Sequence, residues 1–189
     1  MLELEKLMLA RDLQRTVYAS LLAALVAVSA YLPIPIGPVP IILQNIFILL
    51  AGLLLGSRWG LISMCIYLLV GAIGIPVFTG GKGGLAHFMG PTGGYLVGYA
   101  CCAYVTGFIA ERGRSSLGRD ILAVTAGDLM LFVFGVPWLM VVTGMTLEKA
   151  LLAGMLPFLP GDAVKAAAAV VLAKALRPVV NRQMETVAS

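Results

Sequence analysis

Charge is scarce in this sequence. Only 12% of its 189 residues are Asp, Glu, Lys or Arg, whereas 60% are hydrophobic and the mean hydropathy is +1.00. An ordinary soluble domain carries about a quarter charged residues, so the composition points to a chain dissolved in lipid. A single histidine, His87, and three cysteines, Cys65, Cys101 and Cys102, leave no Ser/His/Asp, Cys/His or metal-ligand spacing to read. The cysteines lie in apolar runs and are expected to be small core residues. "GGKGG" is no phosphate-binding loop, because neither Ser nor Thr follows Lys82 and no strand precedes it. The N-terminal "MLELEKLMLARDLQR" lacks the short apolar core and small-residue cleavage site of a secretory signal. Residues 1–15 therefore read as a retained, cytoplasmic amphipathic lead-in.

What remains is a series of apolar segments separated by turn residues. Lipid requires each backbone polar group to be satisfied within the protein, so the segments are expected to be helices. A span needs about 20 apolar residues, and one domain of this length has room for about six. They run from about Thr16 to Leu32, Ile41 to Leu55, Leu61 to Ile75, Tyr95 to Ala110, Ile121 to Val142 and Asp162 to Leu176. The first stops at "PIPIGPVP", where four prolines in eight residues forbid a continuous helix. "GSRWG" reads as a turn between the second and third. A short surface helix capped by Thr146 is expected within "TGMTLEKALLAGMLPF", and 177–189 is a cytoplasmic tail.

With the N-terminus inside, ten basic residues face the cytoplasm: Lys6, Arg11, Arg15, Arg58, Arg112, Arg114, Arg119, Lys174, Arg177 and Arg182. Lys82, Lys149 and Lys165 face outward. That asymmetry is the usual membrane topology signal. The net charge of +4 is therefore topology, and no groove-reading or base-stacking motif indicates nucleic acid. The outer links are long and rich in Gly and Pro, with seven glycines between Gly80 and Gly94. Such a loop is either a flexible connector or a place where backbone approaches a ligand closely.

The chemistry concentrates at "PFLPGDAVKA". Asp162 falls at the N-cap or first turn of the sixth helix, where a carboxylate meets free amides and the positive end of the helix dipole. Lys165 lies one turn on and shares its face. The two form an intrahelical ion pair or, since charge inside a membrane protein usually marks function, a grip on a ligand carrying both donors and acceptors. Gln44 and Asn45, one turn into the second helix, are either interhelical glue or ligand hydrogen bonders. Tyr95 and Tyr99 share a face of the fourth helix, to wall a pocket or form an interfacial belt. Trp59 and Trp138 are expected as interface anchors. Asp128 falls well inside the fifth helix, far from this site, with Thr125 or a cytoplasmic arginine as expected partner. Ala19, Ala23 and Ala27 recur every fourth residue in the first helix, a smooth stripe for internal packing or for docking another helix.

Taken together, "PVPIILQN", "GPTGGYLVGY", "GVPWL" and "PFLPGDAVKA", in this order, resemble the BioY family, biotin-specific substrate-binding (S) components of energy-coupling-factor (ECF) transporters. The resemblance extends from the first helix to Leu176. It implies an all-α membrane protein of six transmembrane helices with the ECF S-component fold, both termini in the cytoplasm of a prokaryotic cell, and no ATPase motif or enzymatic activity of its own. It implies biotin as ligand, with no cofactor or metal, held in an outward-facing cavity capped by the loops after the first and third helices. Its implied partners are a transmembrane coupling protein and two cytoplasmic ATPase subunits, release following reorientation in the membrane. The acidic-basic pair of the family falls on Asp162 and Lys165, and its glutamine on Gln44. Asn45, Tyr99, Lys82 and Tyr95 complete the expected binding set, the last two in a region that varies within the family. The alanine stripe resembles the surface on which S components dock, and Asp128 stands where an amide is more usual. An S component for another vitamin, or a non-transport intramembrane subunit, are the rival readings.

Overall fold

The computed structural model describes residues 2–31, 33–34, 41–113 and 116–186. Among them the order is α1 (Leu2–Ser29), β1 (Pro33–Ile34), β2 (Ile41–Ile42), α2 (Gln44–Ala72), a 3-10 turn (Leu85–His87), α3 (Gly93–Ala110), α4 (Leu117–Thr143), α5 (Leu147–Gly154) and α6 (Leu159–Thr186). The strands form a two-residue antiparallel ladder, Pro33 opposite Ile42 and Ile34 opposite Ile41. Most of the proline-rich loop that the family resemblance places over the cavity, and Arg114, lie outside the described residues.

The expected second and third spans are the two arms of α2. Gly56 sits at φ 79° and ψ −175°, left-handed backbone that glycine adopts at no steric cost. The helix reverses there. A Cβ added to Gly60 would lie 3.2 Å from the Ala51 carbonyl carbon, and at the far ends Gln44 Nε2 donates to Tyr67 Oη at 2.9 Å. Arms 44–55 and 57–72 therefore run side by side in opposite directions. The break is thus one residue rather than the whole of "GSRWG", because helix resumes at Ser57 as soon as its free amides find an acceptor. Glu111, from the end of α3, supplies it: Oε1 accepts from Ser57 N and Oε2 from Ser57 Oγ, both at 2.8 Å. Caps of this kind are worth about 1 kcal/mol.

The reversal also strands the Leu53 carbonyl, whose helical donor would have been Ser57 N. Arg177 Nη2 donates to it at 3.3 Å while the same guanidinium forks onto Asp120, each of its two bonds there 3.1 Å long. Asp120 is 1% exposed. Bidentate charge-assisted bonds are stronger than neutral ones, and these join α2, α4 and α6 at one end. Arg177 is accordingly no tail residue: α6 continues to Thr186 instead of stopping at Leu176. At the other terminus the lead-in is continuous with the first span, so that α1 is one 28-residue helix.

Apolar residues form one main core among α1, α2, α3, α4 and α6, and a second cluster of Phe132, Val136 and Ala150 seats α5 against α4. Other large apolar side chains point outward along the helices, among them Val17, Leu21 and Val28, Leu129 and Val133, and Val164 and Val171. An apolar exterior of this extent suits lipid rather than water. Helices α2, α3 and α4 are long and apolar enough to cross a membrane. This is a membrane protein.

The alanine stripe corrects an expectation. Ala19 and Ala23 are buried, Ala27 is half-buried, and Ser63 Oγ donates to the Ala19 carbonyl at 2.7 Å. The stripe packs internally, against α2, because small side chains let the two backbones approach closely enough for that bond. Of the three side chains, Ala27 alone keeps part of its surface open. Cys102 is a core residue as expected, whereas Cys65 is exposed on the outer surface of the bundle.

Close approach also governs α3. A Cβ on Gly107 would lie 2.3 Å from both the Gly56 carbonyl carbon and Ser57 N, whereas one on Gly118, in the first turn of α4, would meet nothing within 4 Å. Gly107→Ala is expected to lower the stability of detergent-solubilised protein by about 1–3 kcal/mol through overpacking. Gly118→Ala should leave it unchanged or raise it by up to about 1 kcal/mol. Thermal unfolding of the two variants side by side measures the difference.

Candidate functional site

The end of the bundle opposite the Arg177 clamp encloses a cavity of about 460 Å³, within the roughly 300–1,000 Å³ usual for small-molecule sites. All seven residues proposed from the sequence line it: Gln44, Asn45, Lys82, Tyr95, Tyr99, Asp162 and Lys165. They come from α2, α3, α6 and the glycine-rich loop.

Its depth is charged. Helix α6 begins at Leu159, three residues before the expected start, because Pro160 is tolerated in a first turn where no N–H partner is needed. Asp162 N donates to the Phe158 carbonyl at 2.8 Å, which fixes the carboxylate in that turn. Lys165 Nζ lies 2.5 Å from Asp162 Oδ1, the two side chains being 8% and 5% exposed. Removing such a pair from water is costly unless its remaining hydrogen-bond capacity is used. Asn45 uses part of it: Nδ2 donates at 3.1 Å to Asp162 Oδ1 and, at the same distance, to Asp128 Oδ1. Asp128 is therefore not remote from the site. The reversal of α2 brings Asn45 between α4 and α6, a meeting of helices that no local pattern reveals, and the expected Thr125 or arginine partner is replaced by this amide.

Gln44 is held from four directions. Nε2 donates to the Val26 carbonyl at 3.3 Å and to Tyr67 Oη, while Oε1 accepts from Thr79 Oγ1 at 3.0 Å and Tyr99 Oη at 3.5 Å. Its amide is committed to protein, and it ties α1, both arms of α2, α3 and the loop at one point. The Tyr95 hydroxyl is likewise committed, donating to the Gly154 carbonyl at 2.7 Å. A Cβ on Gly135 would fall 2.2 Å from the Tyr95 ring, so the glycine is what admits the ring against α4. Tyr95 and Tyr99 thus wall the cavity together with Leu131, Phe132 and Phe158 and form no interfacial belt.

The mouth is the glycine-rich loop, which is closed by its own backbone bonds. Phe78 N donates to the Lys82 carbonyl at 2.8 Å and Lys82 N to the Phe78 carbonyl at 3.2 Å, closing a tight turn through Gly80 and Gly81, both at positive φ. Phe78 is fully buried, stacked on His87 with ring centroids 5.3 Å apart. Trp138 Nε1 donates to the Gly90 carbonyl at 2.9 Å, and a Cβ would meet the Phe88 carbonyl oxygen at 1.8 Å from position 93 and Trp138 Cβ at 2.3 Å from position 94. Trp138 fastens the loop to α4 and is no interface anchor. Thr79, His87 and Thr92 join the lining here; nothing in their sequence spacing distinguishes them. Thr146 occupies the N-cap of α5, as expected, though its side chain makes no capping bond.

A membrane-embedded helical bundle with a mostly apolar cavity and a hydrogen-bonded ion pair at its depth is a small-molecule binding protein of the bilayer. The chain belongs to the BioY family, whose profile matches residues 4–182. It is 43% identical over 158 residues to a probable biotin transporter BioY of Pyrococcus horikoshii, covering 84% of this chain and 93% of that protein. It is 42% identical over 176 residues to a biotin transporter BioY of Rhizobium etli, covering 88% and 92%. Among solved structures it resembles, with a TM-score of 0.79 and 35% identity over 88% of this chain and 92% of the other, a crystal structure of the S-component for biotin from an ECF-type ABC transporter.

The loop carries its own titration. Burial first, and the Lys82 ammonium second, push the His87 pKa below its ordinary value, and Nε2 lies 3.1 Å from Thr92 Oγ1. The folded loop resists a proton that the unfolded chain accepts near pH 6.5. Its stability is therefore complete above that pH and declines as pH falls below it. Hydrogen exchange of amides 78–92, corrected for intrinsic rates, should quicken between about pH 7 and 5, and His87→Gln should flatten the change. Equal quickening in both proteins would place the titrating group elsewhere.

Proposed function

We propose that this chain is the biotin-binding S component of an ECF-type vitamin transporter in the cell membrane of a prokaryote, with both termini in the cytoplasm. The observation that carries the reading is the buried Asp162–Lys165 pair facing a cavity of about 460 Å³ in a BioY-family chain. Biotin offers two ureido N–H donors, a ureido oxygen, an apolar fused ring with a thioether, and a carboxylate tail. The Asp162 carboxylate suits the N–H groups and the Lys165 ammonium the ureido oxygen. Tyr95, Tyr99, Phe132 and Phe158 suit the rings, and the exposed Lys82 at the mouth suits the tail.

Such a component binds and releases but supplies no energy. The partners of this reading are a transmembrane coupling protein and a pair of cytoplasmic ATPases, whose cycle reorients the loaded bundle toward the cytoplasm. Since the Ala19–Ala23 stripe is buried, the docking face lies elsewhere on the bundle. No cofactor or metal enters the scheme.

Purified protein in detergent is expected to bind biotin with high affinity by titration calorimetry. Asp162→Asn and Lys165→Ala should each weaken binding by at least about 2 kcal/mol, since either change leaves a buried charged partner orphaned, or roughly thirtyfold in Kd. Wild-type binding of thiamine or riboflavin in preference to biotin would overturn the ligand assignment.

A further inference from the structure

The depth of the cavity holds one more carboxylate than its ion pair requires. Asp128, on α4, is 9% exposed, and what joins it to the site is the side chain of Asn45. A primary amide has two N–H bonds, and those of Asn45 go to two different carboxylates on two different helices. Exchanging Nδ2 for Oδ1 would turn carbonyl lone pairs on two carboxyl oxygens at once. With Asp162 alone, the amide could satisfy its partner through one N–H and turn about it. With Asp128 as well, it is fixed. The only side-chain hydrogen-bonding atom Asn45 has left is Oδ1, to which no described residue donates, and Asn45 lines the cavity.

We propose that Asp128 is a positioning residue for ligand recognition: acting through Asn45, it locks the amide so that the pocket presents Asn45 Oδ1 as an acceptor beside the Asp162 carboxylate. Two neighbouring acceptors next to the Lys165 ammonium match a ligand head with two N–H donors flanking a carbonyl, the pattern of a cyclic urea. Asp162 Oδ1 is already taken by Lys165 and Asn45, and Oδ2 receives no bond from any described residue, so each acceptor has capacity for one N–H. The inference rests on the ureido ligand proposed above. It adds that selectivity for the N–H pair is set from α4, by a group that never touches the ligand.

The test compares Kd for biotin and for biotin methylated on a ureido nitrogen, in wild type, Asp128→Asn and Asp128→Leu. Wild type should disfavour the methylated ligand strongly. Asp128→Asn still offers an oxygen to the Asn45 N–H and should keep that preference within about threefold. Asp128→Leu, similar in size but without an acceptor, should reduce it about tenfold or more, the scale of one hydrogen bond. Equal weakening of both ligands by Asp128→Leu would mean a merely structural role and would overturn the proposal, as would an asparagine variant behaving like leucine. A second reading needs no ligand: the Asn45 side-chain amide in wild type, followed by ¹⁵N NMR and assigned by its loss in a folded Asn45→Ala variant. Two exchange-protected protons support the locked amide; one or none overturns it. Wild type that binds no biotin but shows both protons protected would refute the ureido ligand while leaving the locked amide in place.

Discussion

Most of this fold is organised by a single left-handed residue, Gly56. Because α2 reverses there, its two arms lie side by side, Gln44 meets Tyr67, and Asn45 arrives between α4 and α6. A reversal buried in the bundle leaves backbone groups that must find partners within the protein. Glu111 and Arg177 satisfy them from α3 and α6. The charged side chains at that end thus answer to the backbone as much as to membrane topology, and a chain this poor in charge places several of the few it has on one break in one helix.

The cavity shows the opposite use of charge. Asp162 and Lys165 are one turn apart on the same helix and would pair on any surface for well under 1 kcal/mol. Buried, each is largely withdrawn from water and depends on its partner. The surrounding aromatic rings, two of them with hydroxyls committed to Gly154 and Gln44, leave the pair as the chief polar feature at depth. A ligand entering there trades its own hydration for that polarity. This favours a compact head rich in donors and acceptors over an apolar one of equal size.

Much of this was readable in the sequence, and the reasons are local. Helical spans follow from apolar length, Asp162 from the proline and glycine before it, and the cavity set from polar residues standing where apolar ones are normal. What escaped is what depends on neighbours distant in the chain. Asp128 looked isolated because Asn45, 83 positions away, carries no sign of its partner. The alanine stripe looked available because a small-residue pattern is the same whether the approaching helix belongs to this chain or another. Arg177 stands just past the apolar run that ends at Leu176, whereas α6 continues through Pro178 to Thr186. Trp138 has the composition of an interface anchor and the position of a bolt.

The Arg177 fork has a mechanical corollary. The helices it gathers, α2, α4 and α6, are the same three that furnish Asn45, Asp128 and the Asp162–Lys165 couple at the other end. Rods fastened at both extremities form a truss: they tilt together and do not splay. Passage of a bound molecule between them would require tearing a guanidinium from a fully occluded carboxylate at one extremity and the Asn45 amide from two carboxyl groups at the other. The glycine-rich flap is held by uncharged ties instead, Thr79 to Gln44, Trp138 to the Gly90 carbonyl and the buried Phe78 ring.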